Sequence, residues 1–224
     1  MTPAPLKFEN ISLPGIAVGG ATLEVPEHRA VLVVGPEASG VDALPGYALA
    51  LHRPTTGRVF LFGQDVAKLP RRATLAFRRQ VGYLPAGDGL LHNLSLRDNI
   101  ALPLRFGSDM TEREIDGRIR IMLALLQLVD AADLRPASAT DEQRRRAALA
   151  RALAFDPDLV IMADPFDGLT NRAAAEVLEL ARGGEIEAGS RRTVFMTGQY
   201  VPQQLEPRIE IRYRLAKGEL RRQG

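Results

Sequence analysis

The stretch that decides the fold is Arg29-Ala-Val-Leu-Val-Val-Gly-Pro-Glu-Ala-Ser-Gly-Val-Asp42, an apolar run that leads into a loop bounded by two glycines. Gly35 and Gly40 have the spacing of the G-x-x-x-x-G-K-[S/T] pattern, in which loop backbone N–H groups cradle phosphates. A strand, a glycine loop and a helix in this order are typical of α/β folds with a parallel sheet. We therefore predict a strand over 29–34 and a helix from about Gly40 to Leu51.

The residue types inside this loop differ from those that bind nucleotide. Val41 stands at the position of the lysine that neutralises the β- and γ-phosphates, and Asp42 at that of the hydroxyl that binds Mg²⁺. Valine can do neither, and a carboxylate repels phosphate oxygens. We interpret the loop as a vestigial phosphate loop that consists of Gly35, Glu37, Ser39, Gly40, Val41 and Asp42.

Length and composition limit the possible functions. The chain has 224 residues, 46% of them hydrophobic, which predicts one large domain or a core with a subdomain. A net charge of +2 gives no general indication of nucleic-acid binding. With no cysteine, disulfides and thiolate metal sites are excluded. No metal site is predicted from the histidines either, because they are scattered without ligand spacing at His28, His52 and His92.

The sequence offers no segment of its own for membrane insertion. Its start, Met1–Glu9, has no apolar region of the signal-peptide kind, and no stretch approaches the roughly 18 apolar residues of a membrane span. We expect a cytoplasmic protein that contacts a membrane only through a partner.

Strand and helix patterns alternate along the chain. Strands are predicted at 6–12, 21–25, 29–34, 56–63, 81–84, 159–163, 193–196 and 209–214. Helices are predicted at 40–51, 71–80 and 170–188, and most of 87–153 has helical patterning. Capping-box spacings at Ser95–Asp98 and Thr111–Glu114 begin helices in that block. This order predicts an α/β fold with a helical block inserted between two halves of a parallel sheet.

A long motif in the second half of the chain resembles a known family. It reads Gln143-Arg-Arg-Arg-Ala-Ala-Leu-Ala-Arg-Ala-Leu-Ala-Phe-Asp-Pro-Asp-Leu-Val-Ile-Met-Ala-Asp-Pro-Phe-Asp-Gly-Leu169 and resembles the signature helix, Walker B strand and D-loop of the ATP-binding cassette of ABC transporters. Leu90–Leu104 resembles the segment after the family's Q-loop. The resemblance covers essentially the whole chain and is closest to ATPases of Mla-type phospholipid transport systems.

The resemblance implies a particular architecture. One ABC cassette domain is expected, with a P-loop (RecA-like) core, an N-terminal antiparallel β part and an inserted helical subdomain. The core is expected at 1–86 and 155–224 and the helical subdomain at 87–154. The resemblance also implies a dimer of cassettes, in which each ATP lies between the phosphate loop of one and the signature of the other.

Most positions that carry the family's chemistry hold other residues in this chain. The Walker B aspartate is replaced by Ala163, and the catalytic glutamate by the shorter Asp164. The Q-loop glutamine, the switch histidine and the D-loop aspartate fall at Ala86, Gly198 and Thr170. We expect a vestigial catalytic site and no bound cofactor, although the family would bind ATP and Mg²⁺.

The family's Leu-Ser-Gly-Gly-Gln signature is also replaced. In the family its glycines let backbone N–H groups approach the γ-phosphate. Here a threonine cap, two acids on the positive end of the helix dipole and a capping-box glutamine stand at Thr140, Asp141, Glu142 and Gln143. We expect Asp42 to act similarly after the glycine loop, so that the protein supplies its own anion at both helix starts.

Several residues have two interpretations. Asp164 is either a surviving general base or, as we favour, a strand-end carboxylate that accepts from nearby N–H groups. Arg144–Arg146 contact a partner or lipid headgroups or, as we favour, form a solvated helix face. Surface positions are expected for Arg71, Arg72, Arg78 and Arg79, and a core position for Phe8. A groove for a permease coupling helix and the plain subdomain core remain equal alternatives for Leu90, Leu91 and Leu94.

We therefore expect a pseudo-ATPase that serves as a structural or regulatory subunit of an ABC transporter, with a lipid-handling system as its setting. Its expected partners are a permease and a second cassette, in a homo- or heterodimer. One alternative is a weak or unconventional ATPase that relies on Asp164. Another is a soluble cassette that binds a different protein or ligand. An exposed apolar groove at residues 87–104 would favour the transporter subunit, whereas a polar, closed groove there would favour the soluble cassette.

Overall fold

The structure is a computed structural model, and it describes residues 3–14, 20–70, 76–77, 79–183 and 191–223. In this part of the chain the strands are β1 (Leu6–Ile11), β2 (Ala21–Val25), β3 (Ala30–Val34), β4 (Arg58–Leu61), β5 (Gln64–Asp65), β6 (Val81–Leu84), β7 (Leu159–Ala163), β8 (Thr193–Gly198), β9 (Ile211–Ala216) and β10 (Glu219–Gln223). The helices are α1 (Ala43–Ala48), α2 (Leu96–Gly107), α3 (Glu112–Leu125), α4 (Asp141–Ala152) and α5 (Asn171–Arg182).

The central sheet joins the two halves of the chain. Its strand order is β10-β9-β3-β8-β7-β6, with β10 antiparallel at one edge and the other neighbours parallel. The strands β3 and β7 are almost continuously buried, as expected for a parallel sheet that is covered on both faces. This order places the carboxyl ends of the parallel strands at one edge of the sheet.

A smaller antiparallel sheet, in the order β2-β1-β4-β5, lies beside the central sheet. Ala21, Leu23 and Val25 of β2 are buried while Thr22 and Glu24 between them are exposed, which is the alternation of a sheet with one covered face. Phe8 of β1 contacts Phe195 of β8, with ring centroids 5.6 Å apart and both side chains buried. This contact joins the two sheets and confirms Phe8 as a core residue.

The helical block between β6 and β7 begins its helices with the predicted caps. The Thr111 and Thr140 hydroxyls accept from the N–H groups of Glu114 and Gln143 at 3.4 Å and 3.2 Å. The side chains of those two residues accept in return from the threonine N–H groups, at 2.7 Å and 2.9 Å. The Ser95 hydroxyl caps α2 by accepting from Asp98 N–H at 3.1 Å, and the same hydroxyl donates to Asp98 Oδ2 at 2.7 Å. These helix starts, predicted from local spacing, are confirmed.

Two predicted helices end earlier than expected. Helix α1 covers Ala43–Ala48 and does not reach from Gly40 to Leu51, because Gly40 and Ala50, beyond its two ends, have left-handed φ values of 79° and 55°. Helix α5 ends at Gly183, which caps it with a φ of 96°. The predicted extension of α5 to residue 188 lies outside the described residues.

Three further predictions concern the last strand, the surface arginines and membrane-spanning segments. The single strand predicted at 209–214 is part of the β9–β10 hairpin. Most of the helix predicted at 71–80 lies outside the described residues, and so do Arg71, Arg72 and Arg78. Arg79 is exposed, as predicted. Within the described ranges, no helix has the length and apolar character needed to cross a membrane.

The contact between the two sheets predicts a large effect of Phe8→Ala. Removing a buried phenylalanine side chain should lower the free energy of unfolding by about 3–5 kcal/mol, because it leaves a cavity against Phe195. Phe60→Ala on neighbouring β4 is the control, since Phe60 is only half-buried. Denaturant unfolding measures both variants, and equal losses would contradict the proposed role of Phe8.

Candidate functional site

The carboxyl ends of β3, β7 and β8 bring the predicted site residues together. Val34 lies beside Gly198 in the sheet register. Beyond the strands, Gly35 N donates to Gly198 O at 3.0 Å and Asp164 N donates to Thr197 O at 2.8 Å. The glycine loop, the end of β7 and Gly198 are therefore neighbours at the strand ends, which is where α/β folds place their sites.

The glycine loop is held by its own polar groups. Glu37–Ser39 forms a 3-10 turn, and the buried Ser39 hydroxyl accepts from Val41 N–H at 3.3 Å. A Cβ atom at Gly35 would lie 2.5 Å from that hydroxyl oxygen and 2.6 Å from the carbonyl oxygen of Leu215. Only glycine fits there, because the turn and β9 approach the loop from two sides.

Val41 belongs to the core and not to the surface of the loop. It is fully buried in an apolar cluster that includes Val31, Leu44 and Phe195. The lysine of a phosphate-binding loop has to reach the β- and γ-phosphates. A charged side chain at position 41 would have to leave this cluster or lose its hydration.

Asp42 is exposed at the start of α1, but its side chain accepts no capping hydrogen bond within the described residues. The expectation that Asp42 acts at this helix start as Thr140 does is therefore wrong, because Asp42 has a helical backbone, with φ −69° and ψ −17°, whereas a capping residue is extended. Burial is the largest cause that raises the pKa of Asp42, followed by the negative charges of Asp164 and Glu37. A phosphate at this position would meet a field that is already negative.

The Asp164 carboxylate lies directly beside Gly198. Asp164 has a left-handed φ of 42°, and its Oδ1 accepts from Gln199 N–H at 3.2 Å. This is the strand-end role that we favoured for Asp164. A Cβ atom on Gly198 would lie 2.9 Å from the same oxygen. The carboxylate thus fills the space that a side chain at position 198, such as the family's histidine, would need.

A buried arginine that the sequence analysis placed on the surface lies at the centre of this site. Arg145 of α4 is only 4% exposed. It donates to the carbonyl oxygens of Pro85 at 3.0 Å, of Gly87, and of Asp164 at 2.6 Å. Burial lowers the pKa of the Arg145 guanidinium, and nearby carboxylates, led by Asp167, oppose that effect.

The solvated helix face predicted for Arg144–Arg146 is wrong for its neighbours as well. Arg146 is 7% exposed and pairs with Glu142 at 2.7 Å and with Glu176. Arg144 pairs with Asp141. The acids of the signature remnant are therefore neutralised from within α4. Since an α-helix has 3.6 residues per turn, three consecutive residues cover more than half of its circumference, a signal that one of them faces inward.

The other predicted positions have structural roles or lie on the surface. Thr170 caps α5, with its hydroxyl accepting from Ala173 N–H at 3.3 Å, and Ala86 is exposed. Among the residues that the structure describes, no group of three or more His, Asp or Glu side chains is arranged to hold a metal.

An open groove of about 470 Å³ lies between β6 and the ends of α2 and α4. Phe106 at its rim is 84% exposed. Its lining is rich in apolar and aromatic side chains and includes two arginines, with no carboxylate among the described residues. The lining residues are Arg79, Val81, Gly82, Tyr83, Pro103, Phe106, Gly107, Arg151, Ala152 and Phe155.

The predicted groove residues lie elsewhere. Leu90 is buried in the core, which rules out the partner contact for this residue. Leu91 is 48% exposed and Leu94 is half-buried. None of the three lines the groove, because the groove lies at the far end of α2 from the loop that carries them.

Comparison with known proteins gives consistent matches. A family model described as "ABC transporter" matches residues 18–167. The methionine import ATP-binding protein of Mannheimia succiniciproducens is 31% identical over 74% of this chain and 48% of its own length. The intermembrane phospholipid transport system ATP-binding protein of Haemophilus influenzae is 31% identical over 71% of this chain and 61% of its own length. The chain spans about half the length of the methionine import proteins it matches.

A solved structure supports the architecture. The dimeric structure of an ATP-binding cassette in a post-hydrolysis state, bound to ADP and phosphate, superposes with a TM-score of 0.84 at 22% identity. It covers 97% of both chains. This likeness confirms the α/β cassette fold, with its parallel core, antiparallel N-terminal part and helical block.

The raised pKa of Asp42 predicts that Asp42→Asn stabilises the protein at neutral pH. The folded-state pKa lies above the ordinary value of 3.8, so ionised Asp42 opposes folding; this effect shrinks as the pH falls below the raised pKa and is lost below the ordinary one. The gain in melting temperature at pH ~7 should therefore shrink toward pH ~4. Asp133→Asn, at an exposed position, is the control. A gain that does not depend on pH would contradict this origin.

The contact between Asp164 and position 198 predicts a strong coupling in a double-mutant cycle. Gly198→Ala should lower the free energy of unfolding by about 1–3 kcal/mol, because the Asp164 carboxylate must leave Gln199 N–H. In an Asp164→Gly background, which suits the left-handed φ, most of this cost should vanish. Additive effects of the two substitutions in denaturant unfolding would contradict the proposed contact.

Proposed function

The chain belongs to the ABC transporter family, and we propose that it is a cassette subunit that neither binds nor hydrolyses ATP and that holds or regulates an ABC permease. The observation that carries this proposal is the placement of Val41 and Asp42. Val41 is buried in the core, and Asp42 lies in the negative field of Asp164 and Glu37. An apolar side chain and a carboxylate thus stand where the family has a lysine and a Mg²⁺-binding hydroxyl.

The magnitudes favour loss of nucleotide binding. The lysine, the Mg²⁺-binding hydroxyl and the Walker B aspartate would each make charge-assisted contacts of about 1.5–3 kcal/mol. Each additional carboxylate near the phosphates adds repulsion on the order of 1 kcal/mol. Together these terms are as large as the whole binding free energy of a millimolar ligand, which is about 4 kcal/mol.

The residues at the strand ends do not fit Mg²⁺-ATP. Ala163 offers no oxygen for a metal-bound water, and Asp164 Oδ1 already accepts from Gln199 N–H. The carbonyl of Asp164 is bonded to the buried Arg145. We therefore assign no catalytic step to these groups.

The open groove supports a permease as the partner. Its exposed Phe106 and its aromatic lining, with Tyr83 and Phe155, suit an apolar helix end of another protein. The groove shares only Pro103 with the predicted segment 87–104, but its exposed apolar side chains support a transporter subunit over a soluble cassette with an unrelated ligand. A peripheral position on the inner face of the cell membrane follows from such a partner.

A lipid-handling transporter is our preferred setting. The phospholipid transport relative and the methionine import relative are both 31% identical to this chain, so identity does not separate the two settings. The preference rests on the motif resemblance around Gln143–Leu169. Methionine import is the competing setting.

A second cassette is the other proposed partner, since a dimeric cassette is among the structural neighbours. In a face-to-face dimer, one nucleotide site would use this chain's glycine loop and the other its signature remnant. The loop lacks its cation, and where the family has glycines the remnant carries Asp141 and Glu142, each paired with an arginine of α4. Both sites would be impaired in a homodimer and in a heterodimer.

An unconventional ATPase is the alternative activity. It would depend on Asp164 as general base and on the N–H groups of the glycine loop. Its weakness is that Asp164 and the loop's Val41 N–H already have partners within the chain.

We predict no response of the purified chain to Mg²⁺-ATP. A ligand at about 100 times its Kd stabilises a protein by roughly 2.7 kcal/mol, so the absence of a thermal shift at millimolar Mg²⁺-ATP is informative. Phosphate release should equal the buffer blank.

The matched variant for this test combines Val41→Lys with Asp42→Thr, which restores both loop groups. It should lose stability because position 41 is buried, but it should gain a shift that depends on Mg²⁺-ATP. Phosphate release or a thermal shift in the unaltered protein would overturn the proposal.

A further inference from the structure

A short linker, residues 85–89, connects β6 of the core to the helical block, and arginines of α4 hold it along its whole length. Arg145 donates to the carbonyls of Pro85 and Gly87. Arg151 donates to the carbonyls of Asp88 at 3.2 Å and Gly89 at 2.7 Å. We call the three arginines that contact this linker, Arg144, Arg145 and Arg151, the arginine clamp.

The acidic side chain of the linker takes part in the same contact. Arg144 Nε lies 3.1 Å from Asp88 Oδ2, and Asp88 Oδ1 accepts from Leu90 N–H at 2.9 Å. Gly89 has a left-handed φ of 57°, and a Cβ atom there would lie 2.7 Å from the Pro85 ring. The linker is therefore folded tightly on itself, with its carbonyls directed at α4.

Arg145 extends the clamp into the core. Its second guanidinium nitrogen donates to the carbonyl of Asp164, at the end of β7. One buried cation thus joins the helical block, the linker and a core strand. An arginine cannot lose its proton to escape burial, so its positive charge has to keep these carbonyl partners.

We infer that the arginine clamp fixes the helical block on the core without nucleotide, so that the groove beside it is formed in advance of any partner. This inference rests on the proposed function, in which no ATP is present to set that arrangement. Arg145 is a positioning residue in this account.

The groove's walls explain why the clamp matters for docking. Tyr83 and Val81 come from the core, while Phe106 and Phe155 come from the helical block and its end. Arg151 belongs both to the clamp and to the groove lining. A rotation of one body on the other would change the groove's width, whereas a clamped pair presents one fixed shape.

The test is a distance measurement between spin labels on the two bodies. The chain has no cysteine, so Glu24→Cys on β2 and Arg113→Cys on α3, both at exposed positions, give two defined labels. We expect one narrow distance distribution that millimolar Mg²⁺-ATP leaves unchanged. Arg145→Met should broaden it about twofold or more, as expected for released motion between packed bodies.

The control is Arg172→Met, which removes an ion pair of a 92% exposed side chain on α5 and should leave the distribution narrow. If Arg145→Met does not fold, Arg145→Lys decides, because lysine keeps the charge and loses the planar fork of donors. A distribution that is broad in the unaltered protein, or one as narrow in the folded Arg145 variant as in the control, overturns the clamp.

Binding of a fluorescent ATP analogue, measured on the same labelled samples, separates the two proposals. Nucleotide binding with a shifted distance would overturn both the proposed function and the clamp. Nucleotide binding with an unchanged narrow distance would overturn the proposed function alone. A broad distribution without nucleotide binding would overturn the clamp alone.

Discussion

The rest of the site depends on one constraint at the carboxyl edge of the parallel sheet: the backbone carbonyls and the carboxylate there need hydrogen-bond donors. Strands β3, β7 and β8 all end there, and the groups at their ends need partners. In this chain the donors come from the protein itself. Arg145 donates to the carbonyls of Pro85, Gly87 and Asp164, and Gln199 N–H donates to the Asp164 carboxylate. One of these contacts occupies the Asp164 carboxylate, which stands at the position of the family's catalytic glutamate.

Much of the fold follows from local patterns in the sequence. The cap at Thr140 and the wholly buried strand at 159–163 depend on residues close to each other in the chain, so their spacing predicts them. The roles of Arg145 and Arg146 were missed because their burial depends on what packs against α4 from distant segments. The capping role of Asp42 was wrong for a related reason: its position suits a cap, but the loop around it, which the Ser39 hydroxyl helps to hold, gives Asp42 a helical backbone instead of an extended one.

Under the proposed function, the site keeps the family's fold without its chemistry. Val41, Asp42, Asp164 and Gly198 all differ from the family, and the last two fit each other, since Asp164 Oδ1 lies 2.9 Å from where a Cβ atom at position 198 would be. Restoring one family residue would therefore create a clash or a buried charge before it restored a function. Because one fold can carry different functions, the function of this chain has to be argued from the contacts of its site.

The most direct test of the account is purification of the tagged chain from detergent-solubilised membranes, with ATP removed by apyrase and, in parallel, with Mg²⁺-ATP. The account predicts that a multispanning permease copurifies in stoichiometric amount under both conditions, and that Phe106→Asp in the groove abolishes this while the chain stays folded. A chain found only in the soluble fraction, or an association that requires ATP, would contradict it.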